Sequence, residues 1–381
     1  MSADGRADAP GRDPGAGVGA EAPDRGPGAA QAEASRRPVL EPEGLLVGGI
    51  EFRGYRGEAD LPGIVEAVNR SLESDGVDDR LGAEDALEGF GKPGPRRDPA
   101  KDVFLAFAEG RVVGVSRTGW YEELEGKRMY CVTGYLEPGL RGKGVFRALL
   151  RLAEGRAREL AAGHPAGARK ILQAWSAGPE ADWPALLASE GYREVRHFWD
   201  MLRPIDGTVP EGRLPPGLES RPARPEDLRA VWETLRDVAP DHWQYRGDEW
   251  TEEAFAAWRA ENEGGTSLWQ LAWDGDRVAG TVLAGLDAEG NARRGRRRGL
   301  TEHVFVRKEW RGKGVATVLL AGALKALERE GMEEAFLGVD EENPSGAMRF
   351  YESLGYRAVR KDTWHRKWLV EPEGAQEAWL Y

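Results

Sequence analysis

The pentapeptide RGKGV occurs twice in this chain of 381 residues, at Arg141 and at Arg311, and each copy precedes a long segment with helical periodicity. The flanking segments repeat in the same order. FLAFAEGRVVGVSR before the first copy resembles LWQLAWDGDRVAGTVL before the second, and LASEGYREV after the first resembles YESLGYRAV after the second. Each half is predicted to contain a strand, a helix, a hairpin-linked meander, the glycine motif, a long helix, a strand, a short helix and closing strands. Such a repeat predicts two tandem copies of one fold.

Composition marks the boundaries between the segments. Residues 1–40 contain 7 Gly, 10 Ala and 5 Pro and no aromatic residue, and such a segment buries too little apolar surface to offset its ordering entropy. A second breaker-rich stretch, RPIDGTVPEGRLPPG, carries four prolines and three glycines and separates the two halves. The expected division is a disordered tail at 1–45, a first domain at 46–203, a linker at 204–217, a second domain at 218–370 and a short tail at 371–381.

Composition also argues against several classes of function. The 53 Lys+Arg and 65 Asp+Glu give a formal net charge of −12, which disfavours a protein whose main role is to bind nucleic acid. The single cysteine, Cys131, allows no intrachain disulfide, and no apolar run approaches the ~20 residues that cross a bilayer. The five histidines show no metal-ligand spacing, and the N-terminus lacks a signal pattern. We expect a cytoplasmic monomer or homodimer without metal, nucleic-acid or membrane partners.

The second glycine motif has the features of an anion-binding turn. The apolar strand HVFV, from His303 to Val306, leads into a short turn, the residues RGKGVA and a helix whose apolar positions recur every three or four residues. A helix start exposes unpaired N–H groups, and glycines let the backbone approach a ligand closely, so this turn fits a pyrophosphate. Neither G-x-x-x-x-G-K-[ST] nor G-x-G-x-x-G occurs at the turn. What remains is R-x-x-G-x-A, formed by Arg311, Gly314 and Ala316.

This pattern between a strand and a helix, followed by VDEENPSGAMRFYESLGY, resembles the GNAT superfamily of acetyl-CoA-dependent N-acetyltransferases. The resemblance covers nearly all of residues 218–369 and, more weakly, residues 50–203, so the chain looks like a tandem GNAT protein with a layout similar to that of mycothiol synthase. The resemblance implies an α/β fold of two GNAT-like domains, each a mainly antiparallel mixed sheet with flanking helices. It also implies acetyl-CoA as co-substrate, without a metal.

The resemblance assigns the coenzyme to three places in the second half. The backbone amides of the glycine turn would bind the pyrophosphate, and the strand before the turn would pair with the pantetheine arm and polarise the thioester carbonyl. An asparagine after the next strand would contact the coenzyme arm. The expected cofactor-binding residues are Val304, Phe305, Val306, Arg311, Gly312, Lys313, Gly314, Val315, Ala316 and Asn343.

Two catalytic residues are implied in the same half. Tyr351 matches the family tyrosine that protonates the departing thiolate, or else it is an aromatic residue packed between helix and sheet. Glu302 is the candidate general base, acting directly or through a water, or else a solvated carboxylate. The family glutamate lies two positions upstream, at Leu300, and a shift of two keeps the same strand face unless a bulge intervenes. His303 should face the other way and be structural, and Asp340 is a second choice of base.

The first copy departs from the motif at the positions that the chemistry needs. Alignment of the two RGKGV motifs and of Gly191 with Gly355 gives four substitutions: Phe146 at the position of Ala316, Val132 at that of Glu302, Leu187 at that of Tyr351 and Pro179 at that of Asn343. None of these residues can replace the acid, the base or the amide. We therefore predict that the first domain is structural or binds coenzyme without turnover.

Three functions are consistent with these features. The first is acetyl transfer from acetyl-CoA to a small-molecule or peptide amine by direct attack in a ternary complex within the second domain. The second is a non-catalytic acyl-CoA-binding or sensing protein, and the third is mycothiol-synthase-like acetylation of a cysteinyl sugar. The segment from Asp241 to Trp258 is either the acceptor site or core. The arginine run from Ala292 to Gly299 could contact RNA or the ribose phosphate of coenzyme A, but a solvated hairpin loop is the favoured interpretation.

Overall fold

The computed structural model of the chain describes residues 41–123, 126–241, 243, 250–371 and 380. Residues 1–40 of the expected N-terminal tail lie outside the described residues, as do residues 372–379 and 381 of the expected C-terminal tail. Within the described ranges, every helix is too short or too polar to span a membrane.

The strands of the described residues form one sheet. They are β1 (Leu46–Val47), β2 (Ile50–Gly54), β3 (Val103–Ala108), β4 (Arg111–Glu123), β5 (Lys127–Leu136), β6 (Arg169–Ser176), β7 (Arg193–Pro204), β8 (Leu218–Pro222), β9 (Gln270–Asp274), β10 (Arg277–Leu286), β11 (Arg298–Val306), β12 (Glu334–Asp340) and β13 (Arg357–Val370).

The α-helices of the same residues flank this sheet. They are α1 (Leu61–Ser74), α2 (Ala83–Ala86), α3 (Pro99–Asp102), α4 (Val145–Ala162), α5 (Asp182–Ser189), α6 (Leu228–Val238), α7 (Glu252–Asn262), α8 (Ala288–Arg294), α9 (Val315–Arg329) and α10 (Ala347–Ser353).

The two halves share one pattern of strand pairing. In the first half β4 pairs antiparallel with β5 and β5 pairs parallel with β6, and in the second half β10 pairs antiparallel with β11 and β11 pairs parallel with β12. The remaining pairs between neighbouring strands are antiparallel. The expected α/β fold, a mainly antiparallel mixed sheet with flanking helices, is confirmed, although the strands of both halves form one sheet instead of two.

The last strand of each half is exchanged with the other half. The sheet order is β1-β2-β3-β4-β5-β6-β13-β7-β12-β11-β10-β9-β8, so β7 lies beside β12 and β13 lies beside β6. β7 and β13 also pair with each other, which joins the two halves into one continuous sheet. The predicted linker begins near the end of β7 at Pro204 and stops just before β8 at Leu218. The division into two domains stays a prediction, since each half is completed by a strand from the other.

The long helix after each glycine motif packs its apolar stripe on the sheet. Both helices carry apolar residues at spacings of three and four, and burial of that stripe is what stabilises a helix of this kind. The buried positions of α9 are Val315, Leu319, Leu320, Ala321, Ala323, Leu324, Ala326 and Leu327. Each fully buried leucine contributes roughly 1.5–3 kcal/mol of stability. These helices fix the glycine turns at one end of the sheet.

The arginine run is not a solvated hairpin. Its first part belongs to α8, and its arginines are paired with acidic residues. Arg294 donates to the Asp78 carbonyl and Arg296 forms an ion pair with Asp287 at 2.8 Å. Arg298 forms an ion pair with Glu334 at 2.6 Å. The prediction of a solvated loop was wrong for Arg294, Arg296 and Arg298, which are half-buried and paired, whereas Arg293 and Arg297 are exposed.

Candidate active site

The two glycine turns have nearly the same backbone. Gly312 and Gly314 have φ angles of 69° and 80°, and Gly142 and Gly144 have 75° and 83°. The arginine before each pair has φ −67° and ψ 153°. Positive φ is accessible to glycine without strain, which explains why the spacing of the two glycines is repeated. Arg311 donates from Nε to the Val306 carbonyl at 2.8 Å, and its counterpart donates to the Leu136 carbonyl at 3.2 Å.

The turn of the second half is open. A Cβ atom built on Gly312 or on Gly314 would meet no heavy atom within 4 Å, and the turn is exposed from Arg311 to Gly314. The first amides of α9 have no intrahelical acceptor, because they belong to its first turn. Lys313 places its ammonium 4.7 Å from the centre of the Trp310 ring. The turn thus presents donors and positive charge on an unobstructed surface, as an anion requires.

The turn of the first half is partly covered. Val47 lies 3.6 Å from the position of a Cβ on Gly144. Arg141 is bound by Asp75 at 2.5 Å and by Asp182 at 3.2 Å, and the side chains of Arg141 and Asp75 are only 10% and 9% exposed. These carboxylates form ion pairs with the Arg141 guanidinium and place negative charge beside the turn, so they oppose the approach of a phosphate.

The space beyond the parallel strands differs between the halves. In the second half the pairing of β11 with β12 stops at Leu300 and Phe336, and Thr301 donates its hydroxyl to the Phe336 carbonyl at 3.0 Å. Beyond this point β11 and β12 no longer pair with each other, and we call the space between their unpaired ends the wedge. The side chains of Val304 and Val306, on the β11 side of the wedge, are half-buried.

Two aromatic rings fill the corresponding wedge in the first half. There the pairing of β5 with β6 continues to Val132 and Ala174. Phe146 stacks on Trp183 with ring centroids 4.8 Å apart, and Trp183 donates its indole N–H to the Trp175 carbonyl at 3.0 Å. A Cβ on Gly134 would meet both rings at 3.0 Å. The second half has alanine at both positions, Ala316 and Ala347, if Gly191 is aligned with Gly355.

A β-bulge at His303 changes the register of the candidate base. The pairing of β10 with β11 shifts between Thr281–Phe305 and Leu283–Glu302, and His303 has a φ of 49°. Thr281 donates its hydroxyl to the His303 carbonyl at 3.0 Å. Glu302 and Leu300 both precede the bulge, so the predicted shared strand face is retained. In the first half β4 and β5 pair without interruption.

The bulge corrects two details of the sequence interpretation. His303 does not face away from Glu302, because both residues line one pocket. Because β11 contains one extra residue at the bulge, the alignment of β11 with β5 shifts by one residue on the N-terminal side of His303. Leu283 pairs with Glu302, and its counterpart Arg117 pairs with Thr133, so Thr133 rather than Val132 corresponds to Glu302. A threonine hydroxyl is not a general base, so the first half still lacks that group.

The pocket beside Glu302 has a volume of about 560 Å³. Its walls are α7, the segment after it and the ends of β10 and β11, and its lining residues are Trp258, Glu261, Asn262, Gly265, Ser267, Leu268, Trp269, Leu283, Ala284, Gly285, Leu286, Leu300, Glu302 and His303. Desolvation lowers the pKa of His303, and the nearby Glu302 opposes this shift. His303 is therefore neutral near pH 7.

Aromatic residues of the predicted acceptor segment serve both pocket and core. Trp258 is half-buried and packs 5.8 Å from Trp269, with which it lines the pocket. Trp232 packs against Trp250, Phe255 and Trp258 with ring centroids 4.6–5.8 Å apart. Residues 242 and 244–249 of this segment lie outside the described residues. The segment therefore supplies a rigid aromatic wall.

Tyr351 lies in the core under α9. It is 8% exposed and belongs to the apolar cluster that includes Val304 and Val306. Its ring lies 5.9 Å from that of Tyr356, and burial raises the pKa of Tyr351. No described residue makes a hydrogen bond to the Tyr351 hydroxyl. Glu302 lines the pocket and Tyr351 does not.

Asn343 and Asp340 occupy the loop after β12. The side-chain oxygen of Asn343 accepts hydrogen bonds from Ser345 N at 2.9 Å and from Ser345 Oγ at 2.6 Å, which shapes the turn into α10. Asp340 forms an ion pair with Arg196 at 2.7 Å. Desolvation raises the pKa of Asp340, and Arg196 opposes the shift. The second choice of base is thus engaged with an arginine.

A second pocket at the junction of the halves was missed by the sequence interpretation. Its volume is about 470 Å³, and it is lined by Gly76, Asp78, Asp79, Arg80, Pro179, Asp200, Leu202, Asp287, Arg293, Arg294, Arg296, Arg298, Leu300, Phe336, Val359 and Arg360. Arg360 bridges Asp79 of the first half and Asp200, both at 2.9 Å. Leu300 lines both pockets, so the two are neighbours. The exchanged strands bring these charges together.

One group of side chains in the described part of the chain has the donor atoms to hold a metal ion. Its members are His197, Glu341 and Glu342, whose ligand atoms lie within 4.8 Å of one another. Glu341 already contacts Lys361 at 3.2 Å. The spacing of the histidines in the sequence gave no sign of this group, because His197 lies within β7 whereas Glu341 and Glu342 follow β12.

Comparisons with known proteins agree with the tandem arrangement. The sequence matches the Acetyltransferase (GNAT) family over residues 66–172 and 232–356, more than half of the chain. A mycothiol acetyltransferase of Geodermatophilus obscurus is 28% identical over 311 residues, which covers 81% of this chain and 94% of the relative. The mycothiol acetyltransferase of Salinispora arenicola is 29% identical over 264 residues, which covers 68% of this chain and 78% of the relative.

Solved structures show the same architecture. A GCN5-related N-acetyltransferase from Sphaerobacter thermophilus superposes with a TM-score of 0.66 at 26% identity, over 85% of this chain and 97% of that one. A tandem GNAT protein from the clavulanic acid biosynthesis pathway shares the fold, with a TM-score of 0.56 at 18% identity over 85% of this chain and 99% of that one. The family match in both halves and the tandem fold show that the chain belongs to the GNAT acetyltransferase family and is a tandem acetyl-CoA-dependent N-acetyltransferase.

Proposed function

We propose that acetyl transfer takes place in the second half alone and that the first half is a scaffold that binds no coenzyme. The observation that supports this most strongly is the contrast between the wedges. Phe146 and Trp183 fill the wedge of the first half, where the second half has Ala316 and Ala347. The ion pairs of Arg141 and the uninterrupted pairing of β4 with β5 support the same conclusion.

The residues of the second half fit the coenzyme. The open turn from Arg311 to Ala316 would hold the pyrophosphate, because its glycines leave space and its amides lie at the start of α9. The coenzyme supplies the thioester acetyl group. Beyond Leu300 the edge of β11 on the side of β12 has no partner strand, so its polar groups are available to the pantetheine arm and the thioester carbonyl. Asn343 lies on the loop that follows β12, where it would contact the coenzyme arm.

The proposed reaction is a direct transfer. Glu302, directly or through a water, accepts the proton that the acceptor ammonium loses. The amine nitrogen forms a bond to the acetyl carbon, the carbon–sulfur bond breaks, and Tyr351 donates a proton to the thiolate. The nitrogen then loses its second proton through solvent, and this proton restores the Tyr351 hydroxyl. Residues 218–370 contain no cysteine that could carry an acyl group.

The pocket beside Glu302 supports an amine as the acceptor. Its lining contains two carboxylates, Glu261 and Glu302, and the rings of Trp258 and Trp269. Carboxylates and indole faces both attract a cationic ammonium group. A small-molecule amine fits a pocket of about 560 Å³ better than a folded protein surface.

A second candidate is the acetylation of a cysteinyl sugar. The neighbouring pocket at the junction of the halves is lined by alternating arginine and aspartate side chains, which can hydrogen-bond to the hydroxyl groups of a polyol. Leu300 links it to the pocket beside Glu302. The relatives named mycothiol acetyltransferase favour this candidate.

An acetyl-CoA consumption assay over polyamines, amino acids, aminoglycosides, peptide N-termini and a cysteinyl amino sugar tests the proposal. We expect turnover with at least one amine, and we expect Glu302→Gln and Tyr351→Phe each to lower kcat by roughly a hundredfold. Unchanged kcat in both variants would overturn the assignment of the catalytic residues. Binding of coenzyme without consumption by any amine would favour the non-catalytic sensor instead.

A further inference from the structure

Two carboxylates in the pocket beside Glu302 have no basic partner. Glu261 and Glu302 line this pocket, and neither makes an ion pair or a hydrogen bond with any described residue. The lining contains no lysine and no arginine. Some buried carboxylates of the described chain are instead paired with arginines, as Asp75 is with Arg141 and Asp227 with Arg221. The pocket therefore keeps two uncompensated negative charges.

Trp258 lies beside Glu261 in the lining of the pocket. Trp258 and Glu261 are three residues apart on α7, so they lie on one face of the helix. Trp258 is half-buried, and its ring is held by Trp232 at 5.3 Å and by Trp269 at 5.8 Å. A cation that contacts Glu261 can therefore lie against an immobile indole face as well. Attraction of cations by indole is strongest among the aromatic side chains.

One ammonium group does not satisfy this arrangement. In the proposed function Glu302 faces the amine that reacts, and that amine loses its proton and becomes a neutral amide. Glu261 is exposed in the empty pocket, and an acceptor that fills the pocket displaces part of its water without giving it a counter-charge unless that acceptor carries a second cation. His303, the remaining titratable group of the lining, loses rather than gains positive charge through desolvation. A second positive charge on the ligand would supply the counter-charge that the lining lacks.

We infer that the acceptor carries at least two positive charges, as a diamine or polyamine whose second ammonium group binds between Glu261 and Trp258 while the first faces Glu302. This inference rests on the proposed function and specifies its substrate class. The product is a mono-N-acetylated amine, which keeps one ammonium group when the acceptor is a diamine. Putrescine and butylamine have equal carbon chains and differ by one amino group, so they test the second charge directly.

The test compares kcat/KM for putrescine and butylamine in the wild type and in Glu261→Gln. We expect the wild type to favour putrescine, and we expect Glu261→Gln to reduce kcat/KM for putrescine about fivefold through KM, with butylamine little changed. Glu253→Gln is the matched control, because Glu253 is an exposed glutamate of α7 that does not line the pocket. Trp258→Leu should act in the same direction as Glu261→Gln.

Three results would overturn the inference. The first is equal kcat/KM for the two amines in the wild type, and the second is an equal loss for both amines in Glu261→Gln. The third is a preference for a cysteinyl amino sugar over putrescine. Failure of the proposed function is a different result, namely no consumption of acetyl-CoA with any amine. In that case calorimetric binding of putrescine and butylamine to the wild type and to Glu261→Gln decides the question of the second charge by itself.

Discussion

Phe146 stacks on Trp183 with ring centroids 4.8 Å apart, and the pair occupies the wedge between β5 and β6. The second half has Ala316 and Ala347 at the same positions. One copy of the duplicated fold has thus been packed with side chains, whereas the other has small residues beside an open turn. This difference explains how one chain can contain two similar glycine motifs and, in our proposal, one active site.

The first prediction concerns Phe146→Ala. Phe146 is buried and packs on Trp183, so its truncation should lower the free energy of unfolding by roughly 3–5 kcal/mol. The same change should leave KM for acetyl-CoA unaltered within twofold, because the reaction is assigned to the other half. Urea unfolding and initial rates measure the two quantities. A large rise in KM without loss of stability would contradict the scaffold role of the first half.

The second prediction separates Tyr351 from its neighbour Tyr356. Among the described residues the Tyr351 hydroxyl has no hydrogen-bond partner, so Tyr351→Phe should change the free energy of unfolding by less than about 0.5 kcal/mol and still reduce kcat strongly. Tyr356 bonds to the Thr301 hydroxyl at 2.8 Å, so Tyr356→Phe should cost about 1 kcal/mol of stability and affect kcat less. If the two variants behave alike in both measurements, Tyr351 is only a packed aromatic residue.

The third prediction is a pH dependence of stability from Glu180. Burial raises the pKa of Glu180 to about 7, and the bond from Ala177 N at 2.7 Å opposes the shift. The pKa of Glu180 in the folded protein lies above the ordinary value of 4.5. Between pH values of about 4.5 and about 7 the folded state therefore binds more protons than the unfolded state. The free energy of unfolding therefore falls as pH rises from about 4.5 through about 7.

Glu180→Gln should remove this contribution. The free energy of unfolding of the variant minus that of the wild type should be larger at about pH 8 than at about pH 5. The reason is that only the wild-type side chain must ionise in the folded state as the pH rises. Urea unfolding at both pH values measures the difference. The same stability difference at both values would show that Glu180 does not carry this dependence.

Local patterns in the sequence predicted the parts of the site that depend on local backbone geometry. The glycine spacing of the turns follows from positive φ angles at Gly312 and Gly314, and the apolar stripe of α9 follows from its period. The predicted fold and family were also confirmed. The assignment of Glu302, Tyr351 and Asn343 stays a prediction.

The remaining features depend on pairing between distant segments. The bulge at His303 is a property of the register between β10 and β11, so the sequence alignment placed Val132 where the structure places Thr133. The exchange of β7 and β13 cannot be read from two closing strands that resemble each other. The pocket at the junction of the halves, with Arg360 and Asp79, is a product of that exchange.

The number of coenzyme molecules bound per chain tests the central claim most directly. Isothermal titration of the wild type with coenzyme A should give one site, and Ala316→Phe, which copies the ring of Phe146 into the open wedge, should abolish that binding. Two sites in the wild type, or unchanged binding in Ala316→Phe, would contradict the account.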